Sequence, residues 1–197
     1  AGDTLRDVEA AGLRLVAGDG VGRSGFDAVD ALDTRVTVLS ARGGLGGVYV
    51  READGLTVDD VSAEVQRVDT SAALLTVQRD AQSDIRTIDN GVIVLRTEDG
   101  SITLKDGTAF ADGSAITADN LGNVLILAGG SGSDIHANAS VASGQGNISL
   151  QAGRDIAFAA AADLITTQDG SLDVEAQLGS ITQADGSQFA AGDGDVR

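Results

Sequence analysis

Cysteine, proline, methionine and tryptophan are all missing from the 197 residues. Without cysteine there is no disulfide, no thiolate nucleophile and no sulfur-ligated metal site. Without proline, turns fall to the 27 glycines and to Asn and Asp, which tolerate positive φ or bond back to their own backbone. Aromatic residues are 3% of a chain that is 42% hydrophobic, so its interior must be built from Val, Ile, Leu and Ala. The absent methionine extends to position 1, as expected of an internal or processed piece of something longer. No apolar run approaches the ~18 residues of a membrane span, so membrane insertion is not expected. Nothing at the start has the basic, then hydrophobic, order of an export signal, which is expected to lie outside this segment.

Positive charge is also scarce: 13 Lys+Arg stand against 30 Asp+Glu, for a net charge of −17. That balance repels phosphate backbones and anionic lipid, so nucleic acid is not an expected partner. The acids are dispersed singly, mostly beside glycine or alternating with apolar residues, which reads as a solvated surface.

What is present is a repeat. Gly122-Asn-Val-Leu-Ile-Leu-Ala128 is followed by Gly146-Asn-Ile-Ser-Leu-Gln-Ala152 and Gly170-Ser-Leu-Asp-Val-Glu-Ala176, and another copy begins at Gly194. The glycines are 24 residues apart three times over (146−122, 170−146, 194−170). Within each copy the apolar residues alternate, Val124 and Ile126, Ile148 and Leu150, Leu172 and Val174, with Ala128, Ala152 and Ala176 two places on. Period two means a strand with one buried face. The intervening residues change from Leu125 and Leu127 to Ser149 and Gln151 to Asp173 and Glu175, so one face is kept while the other varies.

A second phrase centres on Ile135, Ile156 and Ile181, and a third apolar point repeats at Val141, Ile165 and Phe189. Three strand positions per unit predict an all-β fold, a right-handed parallel β-helix with three short strands per coil of about 22–24 residues. One unit cannot shield its apolar side, but copies stacked at the ~4.8 Å strand spacing align equivalent side chains into interior ladders. The alanines mark a corner, and Asn123, Asn147 and Ser171 align for hydrogen bonds along the axis. Gly100-Ser-Ile-Thr-Leu104 extends the pattern upstream at a spacing of 22 (122−100), which adds Gly100 to the turn glycines. The whole chain, 1–197, reads as one solenoid, with less regular coils over 1–90 and regular ones over 91–197. About eight coils would give a rod roughly 40 Å long. Residues 59–68 also carry apolar residues at helical spacing, which makes a short helix the competing reading there. Neither end shows a capping segment, so the coils are expected to meet further coils of the same chain or identical subunits stacked end to end.

The run Gly146-Asn-Ile-Ser-Leu-Gln-Ala-Gly-Arg-Asp-Ile156, with Gly-Ser-Ile-Thr phrases around it, resembles repeats of filamentous-haemagglutinin-like adhesins and of the giant β-strand-repeat surface proteins of Gram-negative bacteria. The likeness is good over residues 90–197 and loose before them. It implies a shaft exported to the bacterial cell surface, with a host or neighbouring cell as partner, and no catalysis.

Candidate chemistry is sparse, and no cofactor is expected. Gly129-Gly-Ser-Gly-Ser-Asp-Ile-His-Ala137 matches the calcium-binding nonapeptide, which makes Asp134 the candidate calcium ligand. The next nine residues do not repeat it, so an ordinary glycine-rich turn is the competing reading. Asp27, Asp30 and Asp33, Asp59 and Asp60, and Asp193 and Asp195 offer further hard oxygen ligands. His136 is the single histidine and lacks a nucleophile motif beside it. Tyr49, Phe26, Phe110, Phe158 and Phe189 read as core plugs, or as a binding hot spot where one faces outward. The function expected is a structural shaft. A receptor- or cell-binding module, marked by a loop protruding from residues 20–90, is the alternative. A β-helical polysaccharide lyase or glycosidase trails, because aromatic walls for sugar stacking are missing.

Overall fold

The computed structural model describes residues 6–24 and 31–197, with the backbone alone over 76–80. Phe26, Asp27 and Asp30 lie outside the described residues. The alternating segments wind as one parallel β-helix, with no helical segment among the described residues. The first winding is a single strand, β1 (Val8–Val16). The second comprises β2 (Gly20–Val21) and β3 (Leu32–Gly43). The third contains β4 (Gly47–Glu52), β5 (Leu56–Val58), an inserted pair β6 (Val61–Val68) and β7 (Leu74–Gln82), and then β8 (Ile85–Thr87). Three-strand windings follow: β9 (Ile93–Thr97), β10 (Ile102–Leu104) and β11 (Ser114–Ala118); β12 (Val124–Ala128), β13 (Ile135–Ala137) and β14 (Ser140–Ser143). The last are β15 (Ile148–Ala152), β16 (Ile156–Phe158) and β17 (Leu164–Ile165), then β18 (Leu172–Ala176), β19 (Ile181–Gln183) and β20 (Phe189–Ala190). Val196 bridges to Leu172 and opens the next.

Three faces result. The first stacks β4, β9, β12, β15 and β18. The second stacks β5, β10, β13, β16 and β19, and the third β8, β11, β14, β17 and β20. Long β3 serves all of them, pairing in turn with β4, β5 and β8.

The first face has the register that the 24-residue phrase predicts. Val124 pairs with Ile148 and Ile148 with Leu172, Ile126 with Leu150 and Leu150 with Val174, and all six are buried. Each such side chain removed from water contributes roughly 1.5–3 kcal/mol. Ala128 and Ala152 are fully buried at the corner and Ala176 is half-buried. In the same row one coil further up stands Thr97, and above it Glu52, a carboxylate with no exposed surface. Glu52 survives there because Thr34 Oγ1 and the amides of Val36 and Ala53 donate to it at 2.7–3.0 Å. Burial still pushes its carboxyl above the usual range.

The turn glycines have a purpose that alternation alone did not reveal. Gly44, Gly91, Gly122, Gly146, Gly170 and Gly194 each sit so close on the preceding member of the row, beginning at Gly18, that an added Cβ would lie under 3.0 Å from its carbonyl oxygen. The demand is for close approach between coils. Gly100 is not in this row. It precedes β10 at the next corner, over Gly55, where its phrase matches Gly179-Ser-Ile-Thr182. The true equivalent of Gly122 is Gly91, 31 residues earlier (122−91), because residues 105–113 form a longer loop between β10 and β11. The regular 24-residue coils therefore begin at β12 and not at residue 91.

Ile165 is the other correction. Leu164, fully buried, pairs with Val141 and with Phe189, while Ile165 turns outward between Ala142 and Ala190. From Ile156 to Leu164 is 8 residues (164−156), against 6 from Ile135 to Val141 (141−135), so the third-face spacings are 23 and 25. A one-residue slip exchanges the two faces of a strand. Phe189 is half-buried and meets buried Phe158 edge-on, ring centroids 4.6 Å apart. Residues 61–68 are strand β6 and not a helix, paired antiparallel with β7.

Candidate functional site

At strand starts on all three faces, a polar side chain ties one coil to the next. Asn123 Oδ1 accepts from Asn147 N at 2.8 Å and Asn147 Oδ1 accepts from Ser171 N at 3.0 Å, the axial ladder expected from their alignment. The second corner repeats the device: Ser101 Oγ accepts from Asp134 N, Asp134 Oδ1 from Asp155 N, and Asp155 Oδ1 from Ser180 N. The third has Ser140, Asp163 and Gln188. Asp134 is therefore a rung of a ladder and not an open calcium ligand. Its carboxylate accepts from two guanidinium nitrogens of Arg154, Nε at 2.8 Å and Nη2, besides the Asp155 amide, and the Arg154 hydrogen bonds hold it below the usual carboxylate range. His136 is exposed on the outside of β13, its Nε2 3.8 Å from Asp134 Oδ2.

Of the other expected acids, Asp33, Asp59 and Asp60 are engaged, whereas Asp193 and Asp195 are exposed in the segment after β20. Asp59 pairs with Lys105 Nζ at 3.0 Å, and Asp33 binds Arg51 through both oxygens at 2.6 Å. Asp60 accepts from Thr108 N, Thr108 Oγ1 and Ala109 N. Together with Asp60, three acids that the sequence did not single out hold the 105–113 loop. Asp84 accepts from Gly107 N, Asp106 from Gly113 N, and Asp112 from Ser114 N and from Arg86 at 2.6 Å. Carboxylate oxygens of Asp84, Asp106 and Asp112 lie within 4.8 Å of one another. Asp84 is fully buried at positive φ (64°). Burial first, with the charges of Asp106 and Asp112 adding, pushes its carboxyl up to about 6.

The fold thus favours the protonated form of Asp84. The stability it contributes is complete below the ordinary carboxylate range and is lost as pH rises through about 6. Asp84→Asn, which also suits left-handed backbone, is expected to stabilise the protein by about 2 kcal/mol near pH 8. The gain should vanish near about pH 4. Thermal melts of both proteins across this range check it; an equal gain at both ends would refute burial as the cause.

The loop so held carries Phe110, 44% exposed, over one edge of an open groove of about 750 Å³ on the third face. The groove floor is one outward row, taken coil by coil: Val16, Arg42, Arg86, Thr117 and Ala142. Arg86 stacks on the Phe110 ring at 4.0 Å and Arg42 approaches it at 5.8 Å. Thr117 Oγ1 is buried without a hydrogen-bond partner. Exposed Ile88 and Asn120 form the opposite edge.

The second projecting feature is the β6–β7 hairpin. Val61 at its base is buried, whereas Val65, Val68, Leu74 and Leu75 expose 44–64% of their surface. Asp69 organises the tip by accepting from Ser71 and Ala73. Tyr49, by contrast, lies half-buried in the outer row of the first face, beside Val94. Comparison with known proteins adds no assignment, since no family model, no curated protein and no solved structure matches the chain.

Proposed function

We propose that this chain is a structural segment of an extracellular bacterial filament of the filamentous-haemagglutinin-like kind, a stiff shaft that performs no catalysis. The observation that carries the reading is the unbroken glycine row from Gly18 to Gly194, with aliphatic rows beside it. Each coil contacts only its neighbours, which suits a part whose task is length and continuity. The coils would stack on further coils, of the same chain or of identical subunits. Electron micrographs of the native material from the producing cell are expected to show long thin threads on the cell surface. Compact particles, or protein confined to the cell interior, would overturn the proposal.

The β6–β7 hairpin favours a second reading, a module that binds a receptor or another cell, because an exposed apolar arm adds nothing to a shaft. Val61 and Gln82 face each other across the pair, so residues 62–81 can be replaced by Asn-Gly without disturbing the coil. A shaft keeps its threads and its cell attachment after this change. Loss of attachment with threads intact would favour the binder.

A further inference from the structure

We propose that the outer side of the first face is an interface for a second copy of this chain, packed face to face with its solenoid axis reversed. This goes beyond the shaft reading and does not rest on it. The starting point is the outward half of the strand alternation. Leu125 and Leu127 of β12 continue on one side into Val94 and Arg96 of β9, then Tyr49 and Arg51 of β4. On the other side they give way to Ser149 and Gln151, then Asp173 and Glu175. The last two coils show that a winding closes with polar residues at these positions. Tyr49, Val94, Leu125 and Leu127 are therefore not required by the interior, yet they form one continuous apolar patch at partly exposed positions. A shallow groove of about 420 Å³ runs among Tyr49, Val94, Leu125 and Ser149.

Charge selects what covers this patch. Around β4 and β9, Arg6, Arg51 and Arg96 stand against Asp33 and Glu98, whereas on β18 Asp173 and Glu175 share Arg197. One end of the face is thus left with an excess base and the other with an excess acid. A two-fold axis parallel to the strands and passing over β12 sets Leu125 and Leu127 against their own copies, and β4 against the acidic β18 of the second copy. Two solenoids running the same way would instead oppose Asp173 to Glu175, a like-charge contact. In a chain of net charge −17 the reversed orientation is the one that lays opposite charges together. The face is its own complement, as an isologous interface demands. Five rows ~4.8 Å apart and five residues across at ~3.3 Å give roughly 400 Å² per copy, about half of a stable interface. The pair is therefore weak and reversible, with Kd of about 0.1 mM.

The test is sedimentation equilibrium of the whole 197-residue chain at concentrations up to roughly 1 mM, where a reversible monomer–dimer equilibrium is expected. Leu125→Ser combined with Leu127→Gln copies the outer residues of the next coil, so the fold tolerates it. This variant should weaken association at least about tenfold with its melting temperature unchanged. Orientation is read from spin labels on Gln177→Cys, exposed just after β18 in a chain that has no other cysteine. The labels should lie roughly 20 Å apart in the reversed pair, against roughly 10 Å in a parallel one. Monomer at every concentration, a dimer that survives the double variant, or labels at the parallel distance would each overturn the proposal.

Discussion

Gly146→Ala is expected to destabilise the protein by about 2–4 kcal/mol, a loss of roughly 5–10 °C in melting temperature. The added Cβ would lie under 3.0 Å from the carbonyl oxygen and carbon of Gly122 and from Ser143 Oγ. Only backbone movement relieves such contacts, and moving Gly122 disturbs its own seat on Gly91. Gly132→Ala is the control, because a Cβ there has nothing within 4 Å and its backbone is in no strained region. It should be neutral or slightly stabilising. Calorimetric melts of the two variants decide the matter: equal effects would mean that the glycine row is a statistical habit of turns and not a packing requirement.

Ile148→Asp should cost more still, roughly 4 kcal/mol or above, because it leaves a carboxylate without a partner inside the apolar row. Ile148 has no exposed surface and is held between Val124 and Leu172. Ser149→Asp, one residue on and facing outward, is the matched control. Its new charge would stand beside Asp173, a like-charge contact worth no more than about 1 kcal/mol. If both variants melted alike, the inward assignment of this strand face would fail. Because the coils are stacked in one dimension, amide hydrogen exchange should show the damage to Ile148 concentrated in the windings on either side of it.

The first face was legible because three signals coincide in one phrase: the glycine seam, the polar capping residue, and strict alternation ending in alanine. The other faces were less so. Two adjacent aliphatic residues, Leu164 and Ile165, both fit the period, and compensating turn lengths decided between them. Gly100 was misplaced because Gly-Ser-Ile-Thr belongs to the second face, and the long loop before β11 lies outside any period. Glu52 was invisible for a different reason: alternation from Val48 and Val50 points it inward, but polarity says otherwise until Thr34 and the neighbouring amides are known. The groove had no sequence signature, since Arg42, Arg86, Phe110 and Thr117 come from windings separated by unequal insertions.

Those insertions have a common form. The β6–β7 hairpin leaves the coil at Val61 and returns at Gln82, its paired partner, and the 105–113 loop likewise leaves it between β10 and β11, where a bulge between Ser114 and Ile116 restores the pairing with β14. A glycine seam that tolerates no added atom fixes the rise between neighbours at every level. Growth in such a molecule is therefore quantised: whole turns lengthen it and sideways excursions decorate it, while the one extra residue within β11 is absorbed on the spot, the next strands β12 and β15 pairing without a shift.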